Sequence, residues 1–249
     1  MPASRTLGAA LALALLTATL PAAAEEPGFT PAQEEAIGAL VRDYILEHPE
    51  IILEAVERLQ AREQEQAAAA QQQAIAALQA ELYEDDVSPV AGNPEGDITI
   101  VEFFDYNCPY CKRLTPELFG LLARDGQIRL IAKEWPFFGE DSEFAARAAL
   151  AAARQGSYAA FHQALMGLRG PANPQTVERV AGEVGLDWER LQEDMQDAAI
   201  TEHLERNKAL AKRIGLRGTP AMVIGGTLLP GAAPAAEIAA TVAEERRKQ

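Results

Sequence analysis

"ITIVEFFDYNCPYCKRLTPELFGLLAR", residues 98–124, decides the fold. Its first seven residues form a β-branched and aromatic run of the kind that makes a buried strand. From Pro109 onward, Leu114, Leu118 and Leu121 recur at helical spacing. Between the two patterns stand Cys108 and Cys111, the only cysteines in 249 residues. A second apolar run, "IRLIAKEW" at 128–135, follows Gly126, so strand, helix and strand succeed one another as in a βαβ unit.

Working outward, about 142–214 is helical by pattern. Ser157, Asn173 with Pro174, and Asp187 are N-cap candidates, and Gly156, Gly170, Gly185 and Gly215 fall at helix ends. "TPAMVIGGTLLPG" at 219–231 has two short apolar runs about Gly225-Gly226, a hairpin signal, and a last helix is expected near 234–247. The helical block is therefore an insertion in a domain that covers 98–249. Upstream, residues 85–97 are acidic and rich in Pro and Gly, as in an exposed linker.

Residues 25–84 are helical by pattern. Thr30 and Gln33 form a capping box with Pro31 at the first helical position, and Ile37, Leu40, Val41, Tyr44 and Ile45 follow on one face. Pro49 breaks that helix, and a second carries Ile52, Leu53, Val56 and Leu59 into a Gln/Ala tract of strong helix formers. Two such helices enclose no core of their own, so the stripe packs either on another copy or on the rest of the chain.

Arg5, an apolar stretch at 7–20 and "PAAAEE" have the order of a secretory signal peptide, with cleavage expected near Ala24 and the periplasm as destination. No later stretch has the length of a membrane span, so no stable membrane insertion is expected. With 37 acidic against 22 basic residues the net charge is −15, which argues against nucleic acid or anionic lipid as a partner.

The cysteine pair is a poor staple. A loop this short gains about 2 kcal/mol from closure, against about 4.7 for a loop of about 100 residues. A dithiol that opens and closes fits the spacing better. Cys108, where strand meets helix, has unpaired N–H groups and a helix dipole to favour its thiolate, which makes it the attacking sulfur. Cys111, one turn on, is the resolving sulfur. A zinc site lacks ligands, since His48, His162 and His203 have no ligand spacing toward the pair, so no metal is assigned. Copper(I) held by two thiolates stays open as an alternative use of the pair, as does an inert packed pair. Glu102 lies in a strand that ought to be buried on both faces. It is either a carboxyl of raised pKa that carries protons to and from Cys111, or a sheet-edge residue reaching water.

These residues resemble the DsbA-type thiol:disulfide oxidoreductases, a thioredoxin fold with a helical domain inserted ahead of a hairpin. The resemblance covers about 98 to the C-terminus. It implies Cys108 and Cys111 as attacking and resolving cysteines, Glu102 as the buried acid, Pro109 and Tyr110 as the residues that tune the pair, and a loop in which Thr219 and a cis Pro220 face the cysteines and receive substrate. Tyr110 and Thr219 look more like the isomerase and reductase members than the oxidase. "VRDYILEHPEIILEAVERLQ", 41–60, is similar to the oligomerising extension of the suppressor-of-copper-sensitivity C (ScsC) branch. The fold class implied is α/β, a thioredoxin fold with an inserted helical domain, preceded by a helical oligomerisation region. The activity implied is a homo-oligomeric, trimer-favoured disulfide isomerase or reductase for misdisulfided exported proteins. It would use no cofactor beyond its own disulfide and be kept reduced by a membrane-bound thiol donor. A dithiol oxidase and a copper-tolerance module are the other two readings.

Overall fold

The computed structural model describes residues 28–248, and the expected signal peptide, 1–24, lies outside them. Two units are distinguished, one ending at Gln60 and one beginning at Ala61.

In the first unit, α1 (Pro31–Glu47) begins as the sequence predicts. The Thr30 side chain accepts from the Gln33 amide, and the Gln33 side chain accepts from the Thr30 amide in return. The chain turns at His48-Pro49 into α2 (Glu50–Ala77). No residue of α1 is buried. Leu40, Val41, Tyr44, Ile52, Leu53 and Val56 are all exposed, and Ile45, Leu46, Pro49, Ile52 and Leu53 line a shallow apolar hollow.

In the second unit, the end of α2 and α3 (Gln79–Tyr83) lead to β1 (Val90–Gly92), β2 (Ile98–Phe104), α4 (Pro109–Asp125) and β3 (Ile128–Glu134). The helical insertion comprises α5 (Glu140–Arg154), α6 (Tyr158–Met166), α7 (Pro174–Val184), α8 (Trp188–Met195) and α9 (Ala198–Ile214). The hairpin is β4 (Ala221–Ile224) and β5 (Thr227–Pro230), and α10 (Ala235–Lys248) closes the chain. The strands order as β1-β3-β2-β4-β5, with β2 parallel to β3 and the other pairs antiparallel.

Strand alternation divides the interior in two. Ile98, Ile100, Ile128, Leu130, Met222 and Ile224 pack with Leu114, Leu118 and Leu122 of α4 and Ile238 and Val242 of α10. Farther along the same face, Phe104 and Ala132 meet the insertion and both cysteines. Val101, Phe103, Ile131, Ala221 and Val223 point the other way, onto Leu210 and Ile214 of α9.

That second layer corrects the expected domain boundaries. Ile75, Leu78 and Leu82 are buried in it, so the helical region does not end at 84 as a separate piece; its last turns are core. The expected linker, 85–97, also carries structure. β1 pairs with β3, and Asp85 forms a 2.5 Å ion pair with the buried Lys133 ammonium. The acidic, Pro-rich composition that reads as a linker supplies here a short edge strand and the counter-charge a buried lysine needs.

Candidate active site

α4 starts in the middle of the cysteine motif. Cys108 is its N-cap, with extended backbone, and its Sγ accepts from the Cys111 amide at 3.4 Å. Pro109 occupies the first helical turn, where its missing N–H costs nothing. The Cys108 amide donates to the Asp105 carbonyl at 3.2 Å, and its Sγ lies 3.2 Å from the Thr219 carbonyl oxygen. The Thr219–Pro220 peptide is cis. Sequence positions 111 residues apart thus meet at one sulfur.

The two thiols are pushed in opposite directions. The Cys111 thiol, by donating to Cys108, is the largest cause lowering the Cys108 pKa to about 6; the Thr219 side chain and the Cys111 and Tyr110 amides add to it, against the effect of burial. Burial pushes Cys111 far up, helped by its bond to Cys108 and by the charge of Glu102. The pair is a free dithiol, and neither sulfur has exposed surface. Around it, Tyr110 is exposed with the Arg113 guanidinium 4.5 Å over its ring, Thr219 is half-buried and Pro220 buried.

Glu102 is 2% exposed, in the central strand, which excludes the sheet-edge reading. Its Oε1 is enclosed without a hydrogen-bond partner. Burial, and then the nearby Cys108 charge, push its carboxyl up to about 7. A carboxyl with that affinity exchanges protons at neutral pH, as transfer to and from a thiol requires.

The structure adds residues that sequence reasoning missed. Asp105, 1% exposed, accepts from the Asn107 amide at 2.6 Å, the Ser142 hydroxyl at 2.8 Å and the Phe137 and Phe138 amides at 2.6 and 3.0 Å. It ties the cysteine turn to the exit of β3 and the start of α5. Glu134 is fully buried and accepts from the Tyr106 and Tyr158 hydroxyls at 2.8 and 2.9 Å. Tyr106 also meets His162 Nδ1 at 3.1 Å, and burial lowers that histidine to about 3. A signal for Glu134 was available: it shares the parity of Ile128, Leu130 and Ala132, as Glu102 shares that of Ile98 and Ile100.

Residues 99–243 match the family of the DSBA-like thioredoxin domain. The chain belongs to that family. It is a DsbA-like thiol–disulfide oxidoreductase, with a thioredoxin fold and a helical insertion. Residues 33–66 match a second family, the copper resistance protein ScsC N-terminal domain. A thioredoxin-like oxidoreductase from Silicibacter pomeroyi DSS-3 is 50% identical, covering 68% of this chain and 97% of its own, with a TM-score of 0.66. A linker-deleted ScsC mutant from Proteus mirabilis is 31% identical over 90% of this chain and 100% of its own, also at 0.66. The Na(+)/H(+) antiporter NhaA of Herminiimonas arsenicoxydans is 28% identical over 165 residues, so this chain spans 26% of that protein's length. Among the described residues, no helix of this DSBA-like protein is long and apolar enough to cross a membrane.

Proposed function

We propose that this protein is an exported, periplasmic homo-oligomer, trimeric by preference, that isomerises and reduces wrong disulfides in other exported proteins. The observation that carries the reading is the Cys108 sulfur at the start of α4, 3.2 Å from the Thr219 carbonyl, with its pKa lowered to about 6 beside a Cys111 thiol held protonated. At neutral pH Cys108 is then a thiolate and Cys111 is not. The thiolate attacks a substrate disulfide, forming the Cys108–substrate bond and releasing the second substrate sulfur as a thiolate. Attack by another substrate thiolate on that bond frees Cys108 and leaves a rearranged substrate disulfide, with no net electron transfer. If instead Cys111 attacks Cys108, the substrate leaves as a dithiol and the Cys108–Cys111 disulfide forms. Two electrons from a membrane-bound thiol donor then restore the enzyme.

An extended substrate segment would pair with Thr219 and lie against Pro109, Tyr110 and Pro220. Oligomerisation is supported by the exposed apolar face of α1 and early α2, and by the ScsC N-terminal match. Several dithiols in one assembly hold a misfolded chain long enough for repeated exchange. A second reading, dithiol oxidase, is favoured by the lowered Cys108 pKa itself, because a stabilised thiolate makes the disulfide form more oxidising. One experiment separates the two: reactivation of a scrambled disulfide substrate, with solution mass measured alongside, by the parent and by Leu40→Glu. Isomerisation by an oligomer that falls to monomers and loses reactivation in Leu40→Glu supports the first reading. A monomeric parent that oxidises a reduced substrate but reactivates no scrambled one supports the second.

A further inference from the structure

Glu102 is not alone behind the dithiol. In the parallel pairing of β2 with β3, Glu102 stands beside Ala132 and Phe104 beside Glu134. Alternation sends all four side chains to the same face, so the two carboxyls are diagonal neighbours on adjacent strands, at the reach of about 7–8 Å typical of such pairs. Both are buried, at 2% and 0% exposure, and each has one oxygen, Glu102 Oε1 and Glu134 Oε2, enclosed without a partner. Lys133, the cation next in sequence, points to the opposite face and pairs with Asp85.

Burial pushes the Glu134 carboxyl well above its ordinary range, a shift that hydrogen bonds to one of its oxygens oppose. Tyr106, from the loop after β2, and Tyr158, from α6, both donate to Oε1. Since the Tyr106 proton is committed to Glu134, His162 Nδ1 at 3.1 Å is the donor to Tyr106, a polarity that fits a buried, uncharged imidazole. Asn207 of α9 donates to the Glu134 backbone carbonyl at 3.1 Å and fixes the residue from the far side. The groups facing Glu134 are therefore Tyr106, Tyr158 and His162, with the Asp105 and Glu102 carboxyls nearby; Glu102 faces Cys108 and Cys111 in turn.

We propose that Glu134 and Glu102 form a coupled acid pair holding one proton between them, in which Glu134 is a positioning residue that sets how strongly Glu102 keeps its proton. This rests on disulfide exchange through Cys108 and Cys111 as described above. Two buried carboxyls on one face do not both ionise readily, so a proton lost by one is held more tightly by the other. In the resolving step the Cys111 S–H bond breaks and its proton passes to the Glu102 carboxylate. The Cys111 sulfur bonds to Cys108, and the Cys108–substrate bond breaks. The substrate sulfur leaves as a thiolate with the electron pair, so the substrate is reduced and the enzyme pair oxidised. The rate follows the fraction of Glu102 that is ionised, and that fraction depends on Glu134.

The test uses the full-length reduced protein and dithiobis(nitrobenzoate), whose coloured thiolate is released once when Cys108 attacks and again when Cys111 resolves. The second release is followed against pH in the parent, Glu134→Gln, Glu134→Asp and Tyr158→Phe. With the second acid gone, Glu102 no longer shares the ionisation of the pair, so the midpoint of the second phase should move toward acid in Glu134→Gln, by up to about one pH unit. Glu134→Asp should restore it in part. Tyr158→Phe, which removes a donor to the Glu134 carboxylate and so leaves that residue neutral more of the time, should move it the same way by less. A midpoint unchanged in both Glu134→Gln and Tyr158→Phe overturns the coupled pair. If Glu134→Gln does not fold, Tyr158→Phe decides by the same criterion. Failure of the parent to release the second thiolate at any pH would instead overturn the exchange reading on which the pair rests.

Discussion

Two truncations distinguish the N-terminal helices as an appendage from the N-terminal helices as core. A chain beginning at Ala61 retains all of the second unit, whereas one beginning at Asp85 loses Ile75, Leu78 and Leu82. These side chains are 1%, 3% and 0% exposed against Val101, Phe103, Ile131 and Val223. At about 2 kcal/mol for each buried aliphatic side chain, their removal costs about 6 kcal/mol. Polar losses add to this. The Glu81 carbonyl that accepts from Lys133 at 3.0 Å goes, as does Tyr83, whose hydroxyl donates to the Gly225 carbonyl and whose own carbonyl accepts from Arg129. A domain of ordinary stability has about 5–15 kcal/mol in all, so the shorter fragment sits at the edge of unfolding.

The assay is urea unfolding followed by tryptophan fluorescence. Trp135 packs in the affected cluster and reports on it directly. With a slope of about 2 kcal/mol per molar urea, the expected loss moves the midpoint down by about 3 M, or leaves no transition at all. The fragment from Ala61 should unfold cooperatively. If the fragment from Asp85 unfolds at the same urea concentration as the fragment from Ala61, the burial argument is wrong, and the helices end where the composition alone would end them.

The rate of Cys108 alkylation by iodoacetamide should climb with pH through a midpoint near 6 and level off by about pH 7.5, because the thiolate is the reactive form. Cys111→Ala removes the largest stabilising contact and should move that midpoint upward; a parent midpoint at the free-thiol value of about 8.5 would contradict the assigned geometry. Asp105→Ala leaves the donors on Asn107, Ser142, Phe137 and Phe138 without their shared acceptor, at a cost of about 3–5 kcal/mol in thermal or urea unfolding. A loss below about 1 kcal/mol would show that water replaces the carboxylate without penalty.

The parts of this fold legible in the sequence are those set by local pattern. The run at 98–104, the helix beginning at Pro109 and the glycine pair of the hairpin each fixed an element, and the structure has β2, α4 and the β4–β5 turn there. The same local reading failed where long-range packing decides. Ile75, Leu78 and Leu82 follow the Gln/Ala tract without a break, and nothing in their spacing separates a helix that is exposed from one whose last turns enter a core 20 to 150 residues away. Asp85 and Ser88 read as solvated loop because their partners, Lys133 and His203, come from β3 and α9. Glu134 escaped notice because Lys133 precedes it, and adjacent opposite charges look like the polar exit of a strand.

That pair of residues also explains how the site is charged. A parallel strand sends Lys133 and Glu134 to opposite faces, so the lysine neutralises Asp85 behind the sheet and gives nothing to the dithiol. On the cysteine face, Glu102 opposes a negative sulfur. The Cys108 thiolate is nevertheless favoured, by the Cys111 thiol, Thr219 and the amides at the start of α4, rather than by a neighbouring cation. Burial, and then the charge on Cys108, make Glu102 a base of the right strength for Cys111. A cation introduced on this face, as in Ala132→Lys, would lower the Cys108 pKa further and also lower that of Glu102. Attack would then extend to lower pH, and so would resolution, because Glu102 would be ionised and able to accept the Cys111 proton at lower pH. Measured separately at pH 5, both thiolate releases should be faster than in the parent, the second because more of Glu102 is ionised, and a second release left unchanged would show that Glu102 plays no part in resolution.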